Sequence, residues 1–327
     1  MPRAGRGGCL QYGLLGCGGL IALCFVVGAT LLMLGRSVAR SQKMTSKTVE
    51  EPLGGFAAEA PPAGSQKDEA TRPFSDGPPL EAPALPGPGA GKAPPPGRMT
   101  IDLSHGEFEV VPAPAGQPLR VEADYDPDWY RLETRMEHSQ GTWSYVVRFE
   151  RTQTLGFIAT LAQAMGGKRP HVWVQLPRDV PMDLDLRFSQ GGGEVDLGGL
   201  WLTETKVAFR QGGGDLEFSE PLREPMDTMT IDASMGGGSF RRLGDASPRR
   251  LLVHTRMGGG DLDLRGHWLR DCQVSLESQM GGLKVRLPEG VATRGLPHNR
   301  TGEAAGGELP TLTFSYSAAM GGVDFVD

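Results

Sequence analysis

The chain has 327 residues, 39% of them hydrophobic, with 33 Lys and Arg against 39 Asp and Glu. Residues 1–49 hold six cations and no acid; beyond them 27 basic residues face 39 acidic ones, a net charge of −12. That acidic balance repels phosphates, and no basic stripe interleaved with aromatics is present, so nucleic acid is excluded as a partner.

The first 13 residues form a short basic N-terminus. Leu14 to Leu34 then runs 21 residues without a charge, long enough to cross a bilayer core as a helix. Two other fates remain open for this segment. One is cleavage after the small residues Ser37-Val38-Ala39, and the other is lipid attachment at Cys17. Charge does not set the orientation, because both flanks carry Arg or Lys.

Residues 35–98 are expected to form a stalk. Residues 50–98 contain 12 of the 26 prolines, among Gly, Ala and acids. Such a composition cannot bury a core and reads as a linker. Its length suits a domain held away from a membrane surface, which favours an exported C-terminal domain.

From Met99 to Asp327 the chain reads as one all-β domain. Strand-like segments come first, at Thr100–Leu103, Glu107–Val111, Leu119–Ala123, Tyr145–Phe149 and Val172–Leu176. Ser104-His105-Gly106 resembles a rung with a single glycine. Gln153–Met165 spaces Leu155, Ile158, Leu161, Ala162 and Met165 like one face of a short helix over the end of the stack.

Six glycine corners follow, each between short apolar strands. They are Gly191, Gly192 and Gly193; Gly212, Gly213 and Gly214; Gly236, Gly237 and Gly238; Gly258, Gly259 and Gly260; Gly281 and Gly282; and Gly321 and Gly322. Their spacings of 21, 24, 22, 23 and 40 residues predict a single-stack β-solenoid, in which no repeat buries its apolar face alone. Apolar columns hold in phase across the repeats. One is Leu186, Val207, Ile231, Val253, Leu276 and Tyr316; another is Val195, Leu216, Phe240, Leu262, Val285 and Phe325. The glycines are read as structural, since a corner needs positive φ or close backbone approach. The long final spacing contains a surface loop over Pro288–Pro310.

Chemistry is sparse. Cys9, Cys17 and Cys24 lie in or beside the apolar run, which leaves Cys272 alone in the domain, with no intradomain disulfide and no zinc spacing. The histidines His105, His138, His171, His254, His267 and His298 are scattered, with no pair at metal-ligand spacing. Calcium sites of nonapeptide-repeat type would need Asp inside the glycine turn, whereas Asp215, Asp261 and Asp263 alternate with leucines on a strand. No catalytic, metal or cofactor residue is therefore assigned. The enzymatic alternative is a polysaccharide-active β-helix with Asp261, Asp263, Arg265, Asp215 and Glu217 in an acidic groove.

The glycine-led rungs, the lead-in Leu176-Pro177-Arg178-Asp179-Val180-Pro181 with Met182-Asp183-Leu184-Asp185-Leu186, and the strand Gly106-Glu107-Phe108-Glu109-Val110 resemble the bacterial putative-adhesin, or toast-rack, β-repeat domain. A similar domain ends some cell-envelope stress regulators. The resemblance spans residues 99–327. It implies a non-enzymatic binding or structural module of the bacterial envelope, anchored through residues 14–34, with a protein or glycan partner and self-association through strand edges. The alternative is a cytoplasm-facing regulatory domain that binds a signalling protein.

Overall fold

Alternating apolar and polar residues give strands with one buried face, and here every described element of length is a strand. The computed structural model describes residues 44–53, 95–139, 142–152, 169–297 and 309–326, together with Ala29. The apolar run Leu14–Leu34, Cys9, Cys17 and Cys24, the segment Gln153–Met165 and His298 lie outside the described residues. Among the described residues no helix is long and apolar enough to cross a membrane.

Seven long strands form a parallel stack: β2 (Gly97–Pro112), β7 (Met182–Asp196), β8 (Leu202–Glu217), β9 (Thr228–Arg241), β10 (Arg250–Asp263), β11 (Cys272–Arg286) and β13 (Thr311–Val326). Each pairs with the next in the register that the repeat spacing predicts, so Gly191, Gly212, Gly236, Gly258, Gly281 and Gly321 are aligned rung to rung. Gly106 of β2 joins the column as the partner of Gly191. The single-glycine segment around His105 is thus a full rung.

The corner explains its own composition. All seven aligned glycines have φ between +116° and +139°, a region that L side chains rarely adopt. A Cβ on Gly236 would lie 1.8 Å from the carbonyl oxygen of Gly212, and one on Gly281 would lie 1.5 Å from that of Gly258. The third glycine answers a different need, because it faces the inside of the corner. A Cβ on Gly214 would strike the ring of Phe209 at 2.1 Å, two residues before the turn on its own strand. Where that inner position shrinks to Ser278 or Ala318, the third glycine becomes Leu283 or Val323. At Ala233 and Thr255 the inner position is also small, yet Gly238 and Gly260 remain, because the ring of Phe240 lies against both.

The core fills the angle between the two arms of the rungs. Leu184, Leu186 and Phe188 of β7, Val207 and Phe209 of β8, and Met229 and Ile231 of β9 are buried from one arm. Val195, Leu216, Phe240, Leu262 and Val285 meet them from the other. Phe188 and Phe209 stack at 5.0 Å between ring centroids. Arg242, which interrupts an apolar column, adopts a left-handed conformation at φ 55 and opens a 3-10 turn over Leu243–Ala246; Leu243 takes the buried place instead.

The start of the stack is closed differently. The first arm of β2 pairs with β5 (Thr142–Arg151) and the second with β6 (His171–Leu176), so these two strands make a split rung. Antiparallel strands then cover it: β4 (Tyr130–Ser139) on β5, β3 (Leu119–Tyr125) on β6, and β1 (Thr45–Glu51) on β3. This corrects the extent of the stalk, since Thr45–Glu51 belongs to the sheet. Only Val49 of β1 packs on the core, so hydrophobic patterning does not reveal the strand; its backbone pairs with β3 and Lys47 Nζ donates to the Leu132 carbonyl at 3.3 Å. Among the described residues the sheet ends there in two edge strands, β1 paired only with β3 and β4 only with β5. At the far end β12 (Ala292–Arg294), within the Pro288–Pro310 loop, pairs only with Thr311–Thr313 of β13. In all, thirteen strands form a continuous sheet that does not close into a barrel.

Gly236→Ala is expected to cost at least about 3 kcal/mol, combining left-handed strain with overpacking against a fixed carbonyl. Gly322→Ala, where a Cβ meets nothing within 4 Å, is expected to change stability by less than about 0.5 kcal/mol. Urea unfolding of the two variants measures the contrast.

Candidate functional site

The sharp corner lifts one position per rung onto an outer crest. Gln190, Gln211, Met235, Met257, Met280 and Met320 are aligned there, with His105 extending the line. Gln190 Nε2 donates to Gln211 Oε1 at 2.8 Å. Burial lowers the pKa of His105, with the Arg151 charge acting in the same direction and the hydrogen bond that His105 donates to Gln190 opposing both.

On one flank of the crest a hollow is lined by Arg187, Lys206, Arg210, Asp232, His254 and Arg256. Lys206 and His254 both reach Asp232, at 3.4 and 3.0 Å, and Arg187 is held by Asp185. His254 is therefore half-buried in an ion-pair cluster on the outer face. Arg210 and Arg256 have no acidic partner among the described residues.

On the other flank a shallow groove runs along the stack. Its floor is glycine backbone at residues 192–193, 213–214, 237–238 and 259–260, and its two overlapping sections enclose about 590 and 650 Å³. One wall is a column of aligned residues: Glu109, Glu194, Asp215, Ser239, Asp261, Lys284 and Asp324. Trp173 of β6 pairs with Glu109 and extends this column at the start of the stack. It is 36% exposed, its indole N–H donates to the Glu109 carboxylate, and its ring lies 4.0 Å from that of His171.

The groove carboxylates differ from those two positions further along each strand. In that second column Asp196 accepts backbone N–H bonds from Gly198 and Ser219, and Glu217 lies 3.7 Å from Arg241. Asp263 is bound by Arg265 at 2.7 Å and approached by Arg286 at 3.9 Å. Burial would raise the Asp263 pKa, but the hydrogen bonds from Arg265, with the Arg265 and Arg286 charges, outweigh it and hold the group below its ordinary value. By contrast Glu194, Asp215, Asp261 and Asp324 have no hydrogen-bond or ionic partner among the described residues. One column serves the fold and the other is left available.

This arrangement disperses the five residues of the enzymatic alternative. Asp215 and Asp261 lie in the groove wall but on alternate rungs, with Ser239 between them, about 9.6 Å apart at strand spacing. Asp263 and Arg265 neutralise each other, and Glu217 is paired with Arg241. Arg249 and Arg242 are likewise paired, with Asp227 and Asp245. Cys272 is buried, and burial pushes its thiol pKa up to about 12, which removes the thiolate that nucleophilic chemistry needs. No cluster of three His, Cys, Asp or Glu among the described residues could hold a metal ion.

No protein-family model matches the chain, and no curated protein matches it. Solved structures that it resembles include a putative cell adhesion protein from Clostridium sporogenes, with TM-score 0.37, 10% identity, and coverage of 86% of this chain and 99% of that one. A putative adhesin from Bacteroides fragilis gives TM-score 0.38 and 8% identity over 88% of this chain and 98% of that one. Another from Parabacteroides merdae gives TM-score 0.24 and 8% identity over the same shares. All three carry the name of the repeat family that the sequence resembles. Overlaps this loose carry no argument about function, which rests on the residues above.

Because its folded pKa is depressed, Asp263 contributes stability that is present above the unfolded carboxyl pKa and lost as pH falls through the folded one. Asp263→Asn is therefore expected to be less stable than the parent at pH 7, with the gap closing below about pH 4. Denaturant midpoints measured from pH 7 to pH 3 test this; a gap independent of pH would assign the loss to packing.

Proposed function

We propose that the chain is a non-enzymatic, adhesin-like binding module of the bacterial envelope. A β-solenoid would be tethered through residues 14–34, ten residues ahead of its first strand Thr45–Glu51. The observation that supports this reading is the glycine-floored groove, with one unpaired carboxylate on most rungs and an exposed indole at one end. Side chains are absent from the floor, so an extended ligand can approach the backbone closely. Carboxylates spaced at about 4.8 Å or, across Ser239 and Lys284, about 9.6 Å accept hydrogen bonds from hydroxyls along a linear chain, and an indole offers a flat apolar face to a sugar ring. A linear, hydroxyl-rich glycan is the ligand class that this chemistry suits.

Because Thr45–Glu51 pairs with β3, both ends of the proline-rich segment belong to the same sheet, and the ten residues 35–44 alone join the domain to the apolar run.

The test is binding of the purified chain to a panel of linear bacterial and host glycans, with Trp173→Ala and the double variant Asp215→Asn/Asp261→Asn alongside. The expected result is binding by the parent and a loss of about tenfold or more in each variant, equivalent to about 1.4 kcal/mol. Parent and variants binding equally would remove the groove from the reading.

A further inference from the structure

The crest changes chemistry partway along the stack. Its first members are His105, Gln190 and Gln211, whereas the next four consecutive rungs carry Met235, Met257, Met280 and Met320. Their relative exposures are 38%, 43%, 41% and 65%. Packing does not demand methionine there, since glutamine occupies the same position on the two rungs before. Among the described residues these four are the only methionines more than a third exposed; Met99, Met182, Met226 and Met229 are fully buried. A row of thioethers has been placed in water where a polar side chain would serve the fold.

We infer that Met235, Met257 and Met280 form a binding site for a soft monovalent cation, Cu(I) or its surrogate Ag(I), with Met320 beside it. Thioether sulfur is a weak ligand for hard or borderline ions and a good one for Cu(I). Parallel pairing sets neighbouring Cα atoms about 4.8 Å apart along the crest. Three sulfurs around one ion at metal–sulfur distances of about 2.3 Å stand about 4 Å from one another. The outer pair, Met235 and Met280, starts about 9.6 Å apart at Cα, and unbranched methionine side chains with three rotatable bonds bring their sulfurs together by each leaning about 3 Å toward the middle rung. The next two positions on each of these rungs are glycine, which leaves the side chains room to swing.

The surroundings favour selectivity. The groove carboxylates are four residues further along each strand, and Asp232, which lines the hollow beside Met235, is already engaged by Lys206 and His254, so no free carboxylate adjoins the crest to attract calcium or magnesium. Arg256 immediately precedes Met257, and its charge opposes a divalent ion. Cu(I) carries a single charge and bonds to sulfur with substantial covalency, so it is penalised least. The site is independent of the glycan groove.

The experiment uses the full chain in detergent, with Cys9, Cys17 and Cys24 changed to serine so that thiols do not compete; Cys272 is buried and stays. Cu(I) is supplied under ascorbate without oxygen, against bicinchoninate as competing chelator, and Ag(I) binding is followed by the ε-methyl signals of ¹³C-labelled methionine. We expect one equivalent bound, with shifts confined to the crest methyls. Met257→Leu is expected to weaken binding by about tenfold or more, and Met320→Leu by less than about threefold. Zn(II) is expected to leave the methyl signals unmoved. Both substitutions are at exposed positions, and unchanged thermal unfolding would show that the variants are folded. Binding undiminished in Met257→Leu, shifts spread over the buried methionines, or no retention of Cu(I) would each overturn the proposal.

Discussion

Everything in this fold depends on a backbone contact: the Cα of one corner glycine against the carbonyl oxygen of the glycine one rung earlier. At Gly212 through Gly321 a Cβ would lie 1.5–2.1 Å from that oxygen, far inside any attainable separation. The contact exists because the chain turns with positive φ at the same place on every rung. A side chain at a single corner would push two rungs apart, and the neighbours on both sides would lose register with it. Stacked repeats of this kind are stabilised mainly by nearest-neighbour interfaces, so a local wedge is felt along the stack.

The same contact organises the surface. Because the bend is tight, the residue before it is thrown outward and the two after it carry no side chain. A crest therefore stands beside a groove whose floor is bare backbone. Neither is constrained by packing, so both are free to carry chemistry, and they do so in different ways. The crest passes from glutamine to methionine, and the groove wall holds carboxylates without partners. The strand positions two residues beyond the groove wall are instead filled with ion pairs and backbone hydrogen bonds that tie rung to rung. Charge on this molecule is thus sorted by column: Glu217, Arg241, Asp263 and Arg286 hold the sheet, while Glu194, Asp215 and Asp261 face water unpaired.

Much of the stack was legible in the sequence because its determinants are local and repeated. Glycine at fixed spacing, with apolar columns four residues before and five after, specifies pairing partners without any structure, and Ser104-His105-Gly106 declared itself as a rung by the same pattern. What escaped lacks that repetition. β1 contains a single core-packing residue and is held by backbone hydrogen bonds to β3, which leave no mark on composition. Trp173 belongs to the groove column, yet residues 153–168 separate it from the first arm of its own rung, so counting from a corner cannot find it. The grouping of Asp261 with Asp263 failed for a physical reason. Residues two apart on a strand share a face but not a neighbourhood: Arg265 and Arg286 claim the second and leave the first alone.

The central claim is that adjacent corners stand in parallel register, one rung apart. Disulfide cross-linking tests it most directly, with linkages located by peptide mass spectrometry after mild oxidation. Met235→Cys with Met257→Cys places two thiols on aligned positions of neighbouring rungs, about 4.8 Å apart at Cα and within disulfide reach. Met235→Cys with Met280→Cys places them two rungs apart, about 9.6 Å, beyond it. The account predicts rapid linkage within one chain for the first pair and none for the second. Equal linkage of both pairs, or linkage of the second alone, would contradict it.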